Sequence, residues 1–151
     1  MAGAALAARL PGILVETAGT LTIDGQPMSW RTRTALESVG LAFPSHRSRQ
    51  ASHTDIDKAT LIVGLAPEHV LWVRRNHITA AGRTATLKRL CRDLSAGEAP
   101  LADRVAALGL ADVELEDWEE VVDPGGGEVE VFVECAHEVF GLVQEFAGKL
   151  H

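Results

Sequence analysis

"TLIVGLAPEHVLWV", residues 60–73, decides the fold class. Thr60–Leu65 is a short unbroken apolar run, the pattern of a strand buried on both faces. Pro67 then stands where the first residue of a helix tolerates a missing N–H. The spacing predicts a helix from there to about Asn76 that packs Val70, Leu71 and Val73 or Trp72. A buried strand that runs at once into a helix is the opening of a β-α-β crossover.

The same grammar extends in both directions. Upstream, the alanine-rich residues 2–10 predict a short helix closed by Pro11-Gly12, followed by a β-like run at Ile13–Val15. The chain turns through Thr17–Gly19, and Gly25 and Pro27 mark a loop. Ser29 is placed to cap a helix running to about Val39, with Ala35, Leu36 and Val39 on one face and Gly40 at its end. A polar stretch, Pro44–Ser52, leads back to the buried strand. Downstream, residues 83–87 predict a short strand, followed by helices near Lys88–Leu94 and Leu101–Leu108. Val129, Phe132, Val133, Ala136, Val139, Phe140, Val143, Phe146 and Leu150 recur at three- and four-residue steps, which predicts a long amphipathic final helix. Strands alternating with helices make an α/β domain with a parallel sheet.

The 151 residues are one ordinary domain in length, with 46% hydrophobic and 23% charged residues. No apolar run reaches the roughly 20 residues that span a bilayer. The N-terminus lacks a basic leader, and Arg9 and Pro11 interrupt its apolar stretch, so the expected location is cytoplasmic, with no membrane partner. Net charge is −7, but it is segregated. Residues 1–97 hold twelve basic and seven acidic side chains, whereas residues 98–151 hold two and fourteen. Such an acidic back half argues against nucleic-acid binding and reads as a solvated face.

Several motifs fail as sites. The glycines of "DPGGGE" precede no Gly-Lys-Ser/Thr, and Leu150 stands where Gly148-Lys149 would need a hydroxyl. In "HTDID", the two-residue spacing of His53, Asp55 and Asp57 does not gather metal ligands on one helical face, and a capped turn is the better reading. Cys135 and His137 point about 200° apart on a helix, unsuited to a nucleophile–base pair. The only cysteines, Cys91 and Cys135, have no CxxC spacing and read as buried thiols. No cofactor or metal site is expected. Asp123-Pro124 lies in a stiffened loop before the last helix, where a carboxyl could protonate a leaving group or simply form a turn.

Taken together, the segments resemble the low-molecular-weight protein-tyrosine-phosphatase family, which includes related arsenate reductases. "VETAGT", Val15–Thr20, looks like the family's strand and Ser/Thr-Ala-Gly-Thr turn. Asp24–Gln50 is similar to its loop, helix and His-x-x-Arg-Gln segment, here His46, Arg47, Ser48, Arg49 and Gln50. "DIDKATLIVGLAPEHVLWV" resembles its acidic turn, buried strand and helix, and "VVDPGGG" falls at its Asp-Pro loop. The resemblance implies a three-layer α/β sandwich, a parallel sheet flanked by helices, formed as a single domain over residues 1–151. It assigns Asp123 as general acid and His46 as a support for the phosphate loop. The substrate it implies is a phosphorylated protein or a small phosphomonoester. The family's Asp-Pro loop often continues with aromatics, but Gly125 and Gly126 stand here, which weakens the expectation of a phosphotyrosine preference.

In the family a central strand ends in a Cys-x5-Arg-Ser phosphate loop that leads into a helix of the form Ser-Pro-Met-Ala-x-Ala-Leu. "MAGAAL" resembles the end of that pattern, with Met1 at its internal methionine. No arginine follows six residues after Cys91 or Cys135, so neither fits the nucleophile. The expectation is a domain without its first strand and catalytic loop, inactive as it stands. About five apolar side chains lost with that strand, at about 1.5–3 kcal/mol each, rival a domain's whole stability. Unpaired sheet edges would then favour a homo-oligomer. The alternatives are an active phosphatase whose start lies upstream of Met1, a non-catalytic binding module, or, ranked lower, an arsenate reductase relative.

Overall fold

The computed structural model describes residues 1–42 and 45–151. These form two compact units, one of residues 1–50 and 122–147, the other of residues 51–121 and 148–151. Pro44, the first residue of the expected polar stretch, lies outside the described residues.

In the first unit, helix α1 spans Ala2–Arg9 and helix α2 spans Trp30–Ser38. The Ser29 side chain accepts the N–H of Thr32 at 3.1 Å and so caps α2. Ala35 and Leu36 form its buried face, and Gly40 leaves it at φ 73°, a left-handed conformation that costs glycine least. The long helix α7, Val129–Lys149, has its first nineteen residues in this unit and buries Ala136, Val139, Val143, Phe146 and Ala147. That stripe follows the sequence periodicity.

The expectation of a strand at Ile13–Val15 is overturned. Residues 13–18 belong to no ladder, Ile13 is 47% exposed and Leu14 85% exposed. The run has the β-branched composition of a strand, but a strand exists only through a neighbour's backbone. Pairing begins only at Gly19, which forms an isolated parallel bridge to Gln50.

In the second unit, helix α3 spans His53–Lys58, strand β1 Ile62–Gly64 and helix α4 Pro67–Asn76. A 3₁₀ turn at Ile78–Arg83 leads to strand β2, Thr84–Thr86, and helices α5, Leu87–Asp93, and α6, Leu101–Ala106, follow. β1 and β2 pair in parallel, with Ile62 opposite Thr84 and Gly64 opposite Thr86. The strand–helix–strand order therefore yields the expected parallel α/β crossover. Val70 and Val73 face the interior of α4, whereas Leu71 is 37% exposed, which corrects its place in the expected core. At 100° per residue Leu71 turns away from the face that Val70 and Val73 share. Trp72 packs partly buried beside Ile56, Val73 and Ala80.

Candidate functional site

The "HTDID" segment forms a capped helix start. Ser52 accepts the Asp55 N–H, and the Asp55 carboxylate accepts the Ser52 N–H at 2.9 Å, a reciprocal capping box. Cys91 is buried and Cys135 half-buried.

A cleft of ≈ 360 Å³ opens in the first unit. Its walls include Met1 and Gly3 of the α1 start, the turn Thr17–Gly19, and His46. Its shape depends on one segment stitched to another across about thirty residues. Gln50 accepts the Thr22 N–H at 2.9 Å and donates its amide to the Thr20 carbonyl at 2.9 Å. Asp24 accepts the backbone N–H of Gln50 at 2.6 Å. Ser48 donates its hydroxyl to the Ile23 carbonyl at 2.6 Å and accepts the Gln26 N–H at 3.0 Å. The Gly19 and Gly25 amides bond to the carbonyls of Arg49 and Ser48. Arg49 also stands 3.9 Å from Glu16 on an exposed edge. The turn carrying Thr17–Thr22 is thus held by its backbone, which leaves its side chains free to line a ligand cleft.

Two glycines permit the close approach. A Cβ on Gly3 would collide with the Thr17 side chain, and one on Gly19 with the Thr22 side chain. These positions admit glycine because of space, since neither has a positive φ.

The structure places the two expected site residues differently. His46 is exposed and lines the cleft. Asp123 is exposed on the loop before α7 and is not among the cleft-lining residues. Its carboxylate accepts the Gly125 N–H at 2.9 Å, an Asx turn continued by the Gly127 N–H bonding to the Pro124 carbonyl at 2.9 Å. Gly126, at φ 80°, closes this turn in the left-handed region. Asp123 is near enough to Cys135 to act on it by charge. Burial raises the Cys135 thiol above its usual range, and the carboxylates of Glu138 and Asp123 add to this against the amine of Met1. A thiol so placed stays protonated at neutral pH and is a poor nucleophile.

The organising roles of Gln50, Ser48 and Asp24 escaped the sequence reading. The motif contained Ser48 and Gln50 but gave a role only to His46, and nothing in it marked their distant backbone partners or Asp24.

No family model matches the chain. It is 26% identical over 142 residues, 94% of its length, to a protein-arginine-phosphatase of Geobacillus stearothermophilus, covering 80% of that relative. The solved YwlE arginine phosphatase from the same organism superposes with a TM-score of 0.76 at 26% identity, over 99% of this chain and 82% of that one. A low-molecular-weight protein tyrosine phosphatase from T. tengcongensis superposes with a TM-score of 0.73 at 21% identity, over 95% of this chain and 85% of that one. At that lower identity the likeness speaks for the fold.

Proposed function

We propose that the chain is a member of the low-molecular-weight protein tyrosine phosphatase family, a single phosphatase-like domain serving phosphoryl removal from proteins, with Asp123 as general acid and His46 supporting the phosphate site. In this chemistry a thiolate attacks phosphorus, and a nearby acid protonates the departing atom. The observation that carries the assignment is the Asp123 turn. Its carboxyl is exposed and fixed by one backbone amide, with glycines beginning two residues on, so a substrate can approach it closely. His46 forms part of the cleft wall in the same unit.

The 151 residues contain no Cys-x5-Arg, and the phosphatase reading therefore expects no turnover from them alone. The test compares the 151-residue chain with the same chain carrying a family strand and Cys-x5-Arg-Ser loop in front of Met1. The bare chain leaves an aryl phosphate and a phosphoarginine protein untouched. The extended chain hydrolyses substrate, and Asp123→Asn lowers its kcat by about 10²–10⁴. Turnover by the bare chain, lost on Asp123→Asn, would overturn the inactive reading.

The substrate reading favours phosphoarginine over phosphotyrosine. Pro124 is followed by Gly125, Gly126 and Gly127, which offer no ring to flank an aryl ester. The 26% identical relative is an arginine phosphatase, and a leaving guanidine accepts a proton from an acid such as Asp123.

A further inference from the structure

In the second unit, two histidines meet where α3 packs on the end of α4. The His53 and His77 rings lie edge to face, with centroids 4.5 Å apart. Trp72 covers His77 from another side at 5.1 Å. His77 is 8% exposed, at the C-terminal boundary of α4. We propose that His53 and His77 form an acid-released latch, which holds the first turn of α3 closed through their ring contact and opens it when both rings are charged.

The charges around the pair favour that behaviour. Burial and the neighbouring His53 hold His77 below the ordinary histidine range, and the Asp57 carboxylate opposes them without reversing the outcome. Asp57 itself lies exposed on α3. Two cations of the adjoining elements, Arg74 and Arg83, are engaged with backbone. Arg74 of α4 donates to the carbonyls of Leu110 and Val113. Arg83 of the 3₁₀ turn donates to those of Ala59, Thr79 and Ile56. When both rings are charged, the buried His77 imidazolium faces that of the exposed His53 at 4.5 Å, a like-charge arrangement that disfavours the closed form.

The rest of α3 is arranged so that only one end lets go. Arg83 clamps the C-terminal carbonyls of Ile56 and Ala59, and the Ile56 side chain is buried with Val73 and Ala80. Its N-terminal turn has the capping box and the His53 contact. Loss of the contact frees the first turn, whose Ile56 N–H bonds to the Ser52 carbonyl at 3.2 Å.

The test is amide exchange and histidine titration by NMR on the whole chain. In the native protein His77 titrates below the usual histidine value of about 6.5. Ile56 protection, corrected for intrinsic rate, falls roughly tenfold between about pH 7.5 and about pH 5.5. The Leu94 amide of the α5 end, bonded to the Leu90 carbonyl, keeps its protection and serves as reference. His53→Gln raises the His77 titration and shrinks the acid loss at Ile56, and His77→Gln removes that loss. The proposal is overturned if Ile56 protection is flat with pH in the native protein, or if His77→Gln retains the full loss. Should His77→Gln fail to fold, an unchanged His77 titration in His53→Gln overturns it equally.

Discussion

Glu119 is fully buried, and its whole surroundings are built to keep it charged. Arg89 donates Nε and Nη2 to its two oxygens, each at 2.8 Å, in a fork-to-fork pair. Thr86 donates its hydroxyl at 2.8 Å and the Glu116 N–H donates at 2.8 Å. Arg89 also reaches Asp93 at 3.2 Å and the Glu114 carbonyl at 2.9 Å. The guanidinium of Arg92 covers the Trp118 ring at 4.2 Å. Nothing in the sequence pattern marks Glu119 as an interior residue, because it sits in a run of acids that reads as solvated. Glu119→Ala leaves a buried guanidinium without its main partner, and such losses cost about 3–5 kcal/mol. An unfolding free energy from urea titration that falls by less than about 1 kcal/mol would contradict this account of the pair.

At the scale of elements, helix starts are where local chemistry speaks most clearly. Ser29 before α2, Ser52 before α3 and Thr86 before α5 each accept a backbone N–H of the first turn. The α4 start lacks such a cap and uses Pro67 in its place. Ser29→Ala is expected to destabilise by about 1 kcal/mol and Ser29→Gly by only a few tenths, because glycine leaves the amide open to water. Thermal unfolding of the two variants distinguishes a cap from a packing role, which would rank them the other way. Strands behave differently. β1 and β2 were legible as unbroken apolar or β-branched runs, whereas Ile13–Val15 had the same look and remained unpaired. The composition of a strand is local, but its hydrogen bonds depend on what stands beside it.

For the molecule as a whole, the buried ion network sets an acid limit separate from the histidine latch. Burial pushes Glu119 upward, but Arg89 and the other donors outweigh it and hold the carboxyl below its ordinary value. The Arg92 and Arg89 guanidiniums likewise hold Asp93 low. For a depressed carboxyl, the unfolded chain binds the proton first, so stability is full above the unfolded value and falls as pH drops through the folded one. Unfolding free energy should therefore decline below about pH 4.5, with a shallower slope in Glu119→Gln. Equal slopes in the two proteins would show that other carboxylates dominate. No helix among the described residues is long and apolar enough to cross a membrane.

The sequence by itself determined the order of helices, the Pro67 and Ser29 starts, the buried stripe of α7 and the Asp123 turn. Each depends on residues within a few positions of one another, where backbone geometry and side-chain period act directly. Tertiary structure alone decided that Ile13–Val15 goes unpaired, that Gln50 secures the Thr20–Thr22 turn from about thirty residues away, and that Glu119 turns inward to Arg89. Those outcomes depend on partners brought together only by folding, and a hydrogen bond or buried charge is stable only when its partner arrives with it.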